Sequence, residues 1–243
     1  MDFFIQAFNA LLFQPLFNAL ILIYQYLPGQ DFGVAVIVLT ILIRVALYPL
    51  MASSLKAQKA LSEMQPKIQE LQQKYKDDKE KQAKEVMALY QKEKLNPFGG
   101  CLPVLLQLPI LFALFRVFWQ GLTPEAMGSL YSFVPNPGAI NPMFIGLVNL
   151  AEPSIFIAFL AGITQFFQSK MLLPKNNPKP QGGKASQFTE LFQKQMLYFF
   201  PIFTVLILWK LPAAIGIYWI VTALFSIFQQ NLIFNKKKTE KTS

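Results

Sequence analysis

Histidine is absent from these 243 residues, cysteine occurs once, at Cys101, and charged residues make up only 14% of the chain. Each scarcity removes a class of protein. A lone cysteine cannot close an internal disulfide, so packing rather than covalent staples must hold the fold. Without an imidazole beside it, Cys101 is a poor nucleophile and reads as a small packing residue. A charged fraction of 14% is well under the ~25% of an average soluble domain. With 53% hydrophobic residues and 24 phenylalanines, the composition is that of a membrane protein.

Long apolar runs occupy residues 33–52, 101–121, 153–171 and 213–234, and a shorter one covers 196–211. A helix crosses a bilayer with about 20 residues, so the short run needs a thin membrane. Pro212 separates it from 213–234, which predicts a helical hairpin there. The expected fold class is an all-α polytopic membrane protein with five transmembrane helices.

Lysine and arginine are missing from residues 1–32 and 122–152, whereas 53–96, 170–195 and 235–243 carry ten, five and four lysines. The two kinds of segment alternate across all five runs. By the positive-inside rule the N-terminus lies outside and the C-terminus in the cytoplasm. Orientation thus accounts for most of the net charge of +9. A role in nucleic-acid binding is not required, beyond a basic tail able to touch anionic lipid or ribosomal RNA.

Residues 3–27, FFIQAFNALLFQPLFNALILIYQYL, are long enough for a further span, yet polar residues interrupt them and Pro15 stands in their middle. Gln14, Asn18 and Gln25 fall close together on a helical wheel. That pattern predicts an interfacial amphipathic helix within 1–32, lying on the outer surface. No basic start and no small-x-small site mark it as a signal peptide.

Acidic residues are absent from all five runs. Proton-coupled transport needs a titratable group at depth, and intramembrane hydrolysis needs an aspartate pair, a metal site or an activated nucleophile. The chain is therefore expected not to be an enzyme, and no GxxxxGK[ST] nucleotide loop is present. Lys210 and Arg116 stand near run ends and can snorkel to the interface. Arg44 cannot. It sits eight residues, about 12 Å, from the end of the 33–52 run. A guanidinium near a helix centre costs ~2.5–3.5 kcal/mol to insert. Either it cross-links helices through backbone carbonyls, or it is held in a wet cavity to meet an anionic group brought by something else. Thr40 lies one turn away on the same face. Tyr218, Thr222, Ser226 and Gln229 form one polar stripe on the last run, and Gln107, Gln165 and Gln168 sit at a similar depth. Together they predict a hydrophilic recess open to the cytoplasm.

Residues 53–96 are different in kind. Met64, Ile68, Leu71 and Tyr75 form one apolar seam and Ala83, Val86 and Tyr90 another, with Asp77–Asp78 as turn and cap. The pattern predicts an antiparallel cytoplasmic helical hairpin, followed by the spans within 97–234 and the basic tail 235–243.

Four stretches in order, RVALYPL, MQPKIQELQQKYKDD, MALYQKEKLNPFGGCLPVLLQLPI and LPAAIGIYWIVTALFSIFQQ, closely resemble the YidC family of membrane protein insertases. The resemblance runs from about residue 10 to 234. No counterpart of the large periplasmic domain of many Gram-negative members is found here. The resemblance implies a groove in the inner leaflet with Arg44 attracting acidic residues of a substrate tail, and with Thr40, Gln165 and Trp219 beside it. Tyr218 and Thr222 complete the expected substrate-binding set. Nascent membrane proteins and the phospholipid bilayer are the implied partners, with the Sec translocon and ribosome as candidates, and no cofactor or metal. The expected location is the bacterial inner membrane. The alternative on residues alone is a small-solute channel or anion-binding transporter, against which the apolar outer half of the spans argues. A purely structural assembly factor would tolerate a neutral residue at 44.

Overall fold

The computed structural model describes residues 2–96, 102–120, 123–173 and 195–240. Cys101, both ends of the 101–121 run, most of the lysine-rich 170–195 segment and the end of the basic tail lie outside the described residues. In order come α1 (Asp2–Phe8), a π-helical turn (Asn9–Phe13), α2 (Gln14–Tyr26), α3 (Phe32–Ala46), α4 (Tyr48–Lys74), α5 (Lys79–Lys92) and α6 (Leu102–Gln120). A 3₁₀ turn (Pro124–Ser129), strands β1 (Met143–Phe144) and β2 (Val148–Asn149), and α7 (Ile155–Leu172) follow. A second π turn (Gln195–Phe199), α8 (Phe200–Leu208) and α9 (Ala213–Glu240) close the described chain. Apart from the one strand pair, the described residues are all helix, turn and connection.

Among the described residues three helical stretches are long and apolar enough to cross a membrane: Phe3–Tyr26, Ile155–Leu172 and Ala213–Phe234. A fourth is counted if α3 and α4 form one broken span, while Leu105–Trp119 and Leu197–Leu208 are shorter. The expected set differs in two places. The N-terminal run, read as a surface helix, has the length of a span. Residues 33–52 are not one helix either, because the helix stops at Ala46 and a new one starts at Tyr48.

Contacts divide the chain into two compact units, the first drawn from Met1–Leu47, Val104–Gln165 and Phe203–Phe225. Pro15 does not break its N-terminal helix. The proline has no N–H to give the helix, and the chain widens just before it into a π turn, where the Gln14 N–H bonds the Asn9 carbonyl. The polar stripe of α2 faces protein. Gln14 Nε2 donates to the Ser129 carbonyl at 3.2 Å and Gln25 Nε2 to that of Pro135 at 2.9 Å. Asn18, 2% exposed, donates to the carbonyls of Gln14 and Ser129 and accepts from the Tyr131 N–H at 2.7 Å. Arg116 is also held: its guanidinium donates to Asn9 Oδ1 and stands 4.6 Å from the centre of the Phe13 ring. The apolar side of the same helix, with Phe17, Leu20 and Ile21, is buried in the core with Phe32, Ala35 and Val36 of α3.

Two glycines set approach distances in this unit. A Cβ at Gly33 would lie within van der Waals overlap of the Phe144 ring, and one at Gly216 would meet Ile157 Cγ2. Small residues let backbones approach in this way.

The second unit takes its described residues from Tyr48–Pro103, Phe166–Ile202 and Ser226–Ser243. Within it α4 and α5 pack together across a short turn, and Asp78 caps α5 by accepting from the Lys81 N–H at 2.9 Å. Met64 and Ile68 are buried. On α5 the expected Ala83 is exposed and its neighbour Gln82 is buried. Gln82 Nε2 reaches the Gln72 carbonyl at 2.6 Å, a bond that alanine cannot make. At the root of α4, Lys59 Nζ lies 4.4 Å from the Phe234 ring centre and 3.5 Å from its carbonyl oxygen, and Gln229 Nε2 donates to the Tyr48 carbonyl at 3.1 Å.

Asn18→Ala is expected to lower stability, since it strips a partner from the part-buried groups at Ser129 and Tyr131. An unsatisfied buried group costs about 1–3 kcal/mol. At roughly 2–4 °C per kcal/mol for a chain of this size, thermal unfolding in detergent should shift down by several degrees. An unchanged transition would mean that the stripe does not hold the N-terminal helix.

Candidate functional site

The α3 helix ends early for a local reason: Leu47 closes it with φ −87° and ψ 0°, its N–H bonding the Ile43 carbonyl at 3.0 Å. Arg44 therefore stands in the last turn of a helix rather than eight residues inside one. The unsatisfied carbonyls there carry partial negative charge and favour a cation. The side chain is nevertheless buried, at 6% exposure.

Its partner is neutral. Arg44 Nη2 donates to Gln107 Oε1 of α6 at 2.9 Å. Arginine has only donors, so the amide must present its oxygen to Arg44 and its nitrogen elsewhere. Gln107 Nε2 donates in turn to the hydroxyl of Tyr218 on α9, which is 1% exposed. One relay thus joins α3, α6 and α9. Thr222, one turn beyond Tyr218, flanks the same hydroxyl. Among the described residues the ion pairs are Lys59–Glu63, Lys67–Glu93 and Lys84–Glu80, so no carboxylate neutralises Arg44.

Thr40 is fully buried one turn before Arg44, and its hydroxyl is occupied by its own helix, donating to the Val36 carbonyl at 2.6 Å. It shapes the wall beside the guanidinium without joining the relay.

Gln165 and Trp219 meet in a second cluster. Gln165 Oε1 of α7 accepts from Trp219 Nε1 at 2.7 Å and from the Thr204 hydroxyl of α8 at 2.6 Å. The indole can only donate, which fixes this amide too. Tyr218 and Trp219 are adjacent, so their side chains leave α9 about 100° apart, one towards each cluster. Thr204 went unnoticed in the sequence because a lone threonine in an apolar run carries no signal. Gln107 was legible by depth, but its bond to Arg44 was not.

The structure therefore places five of the six expected residues in two hydrogen-bonded clusters, with Thr40 alongside. Neither cluster contains a carboxylate or an imidazole. Both offer hydrogen bonds, and one offers a positive charge that its neighbours leave uncancelled.

These features define a multi-pass, mostly helical membrane protein with hydrogen-bonded polar clusters among its helices. Residues 22–241 match the family described as 60Kd inner membrane protein, and the chain belongs to that family. A membrane protein insertase YidC from Fusobacterium nucleatum subsp. nucleatum is 32% identical over 206 residues, covering 85% of this chain and 87% of the relative. Another, from Oceanobacillus iheyensis, is 34% identical over 220 residues, 88% of this chain and 78% of the relative. The match to the insertase of Geobacter metallireducens, 32% over 226 residues, covers 92% of this chain but 37% of that longer protein. The resemblance carried by the four sequence motifs is thereby borne out.

A Gln165→Leu and Trp219→Phe double-mutant cycle tests the second cluster. Hydrogen bonds between membrane helices average ≈ 0.6 kcal/mol and reach ≈ 1.7. A coupling energy within about that range is expected from unfolding in mixed micelles, and additivity of the two losses would show that the bond contributes nothing.

Proposed function

We propose that this chain is a membrane protein insertase that moves short polar tails of client proteins across the bilayer through a hydrophilic groove, without nucleotide hydrolysis. The names of its relatives support the insertase role. The observation that carries the mechanism is the buried Arg44 guanidinium, whose side-chain partners among the described residues are the neutral groups of Gln107 and Tyr218.

In this reading the basic segments face the cytoplasm, the N-terminus lies outside, and five spans with a cytoplasmic hairpin surround the groove. An acidic tail arriving from the cytoplasm meets Arg44 and replaces the Gln107 oxygen as its acceptor. Hydrogen bonds to charged groups contribute ≈ 1.5–3 kcal/mol against about 1 for neutral ones, so the exchange favours the tail by a modest margin. Thr40, Thr222 and the Gln165–Trp219 pair supply further polar contacts along the path. The client's apolar segment then partitions into lipid at roughly 25 cal/mol per Å² buried, which drives release. Client chains and lipid are the partners this mechanism needs; contacts with a Sec translocon or ribosome are separate matters.

The test is insertion of a single-spanning client with an acidic N-terminal tail by reconstituted protein. Arg44→Ala should reduce insertion roughly tenfold, the equivalent of 1.4 kcal/mol, while Arg44→Lys keeps most of it. Gln107→Glu should also block this client, because a resident carboxylate then occupies the guanidinium. A client whose tail is neutral should be far less affected by either change. If Arg44→Ala inserts the acidic-tailed client as well as the unaltered chain, the positive charge is not the working element.

A further inference from the structure

The short strand pair at residues 143–149 is built at a cost that its fold does not require. Leu147 N–H closes the turn on the Phe144 carbonyl at 2.9 Å, and both central residues have positive φ, Ile145 at 53° and Gly146 at 68°. Turns of this pattern are commonly Asn-Gly or Asp-Gly, since those residues tolerate the left-handed region. A β-branched residue there is an outlier. The isoleucine gains no packing in return, for Ile145 is 65% exposed and Leu147 beside it 82% exposed. Strain that core packing does not explain points to a use outside the protein.

The hairpin's neighbours locate it. Asp31, the N-cap of α3, accepts from the Val34 N–H through Oδ1 and from the Ile145 N–H through Oδ2. Phe144 packs over Gly33 in the first turn of α3. Just after β2, the carbonyls of Leu150 and Glu152 accept from the first N–H groups of α9, those of Ala214 and Ala213, both within 3.1 Å. Six residues beyond β2, α7 begins at Ile155. The apolar tip therefore stands where three apolar helices all start, which is the height of a bilayer surface rather than its interior.

We propose that the 143–149 hairpin is a lipid anchor, with Ile145 and Leu147 seated among the headgroups and upper acyl chains on the lysine-free side of the membrane. The partner is a zwitterionic phospholipid surface. No lysine or arginine lies between residues 122 and 152 to draw anionic lipid. The nearest charged groups in that segment are carboxylates, and hydrogen bonds from its own backbone and from Thr123 keep Glu125 below the usual carboxylate range. Apolar burial holds the tip, without the electrostatic attraction to anionic lipid that basic interfacial segments add. The anchor would fix the common end of α3, α7 and α9 at one depth. It stands independently of the insertase reading.

The experiment uses the full chain with Cys101→Ser and Leu147→Cys, labelled with an environment-sensitive fluorophore and reconstituted into phosphatidylcholine vesicles. A blue-shifted emission is expected, quenched by lipid carrying a spin label just below the headgroup and less by one near the chain end. Replacing part of the lipid with phosphatidylglycerol should leave the signal unchanged. Ile145→Asn in the same background should keep the fold, as turn chemistry favours it, yet reduce the lipid quenching. Quenching by aqueous iodide instead of spin-labelled lipid would overturn the proposal. So would protection from both quenchers, which would mean that a second protein covers the tip.

Discussion

A guanidinium with nothing negative to meet sets the terms for this structure. Arg44 is buried, and the chain supplies no carboxylate in any apolar run, so its charge is stabilised by geometry alone. Two features provide that. The helix that carries it ends two residues later, which places the charge in the last turn, at the negative end of the helix dipole, and Gln107 offers an amide oxygen at 2.9 Å. Breaking α3 at Leu47 is thus part of the solution, since an uninterrupted helix would have carried its negative end further from the charge.

The same requirement makes α9 the central strut. Tyr218 anchors the Gln107 relay, and the next residue, Trp219, anchors Gln165 and Thr204. Both clusters depend on the rotation and height of one helix. Its start is fixed by the carbonyls of Leu150 and Glu152, and its rotation is fixed where Gly216 lets Ile157 approach. A side chain at Gly216 would displace α9 from α7 and move both hydrogen-bonded residues together. The connecting segment after α6 is likewise more than a link, since its carbonyls and N–H groups satisfy Gln14, Asn18 and Gln25.

What could be read from the sequence follows how each signal arises. Arg44 was conspicuous because one charge in an apolar run has no ordinary explanation, and Gln165 and Tyr218 because polar residues repeat at helical spacing. The stop at Leu47 was masked by hydropathy, since apolar residues continue to position 52, although Pro49 two residues later stands where a proline commonly follows a helix end. Thr204 and the choice of Gln82 over Ala83 depend on a neighbour supplied by another helix, which no local pattern contains. Pro15 misled in the opposite sense. A proline in mid-run suggests a break, yet one π turn absorbs it and the helix continues. The stripe of Gln14, Asn18 and Gln25 was correctly grouped, but the surface it meets is the protein's own backbone.

The neutrality of the partners around Arg44 has a consequence for how the site could work. A carboxylate in place of the Gln107 amide would give a strong, permanent pair in a low-dielectric setting, and an incoming acid could not compete with it. Removing the amide altogether would take from the buried charge its 2.9 Å acceptor and leave it the Tyr218 hydroxyl, which the fold would not tolerate cheaply. Glutamine lies between these limits. It satisfies the guanidinium while the site is empty and can be displaced by a charged oxygen at a small net gain. Under the proposed mechanism a small gain is what transit demands, because a tail bound tightly at Arg44 would not leave. The tyrosine behind it, buried on α9, can accept from the amide whichever acceptor Arg44 holds, so Gln107 need not lose all its partners when it yields. In this arrangement the affinity of the site is set by the difference between two acceptors rather than by the full strength of either.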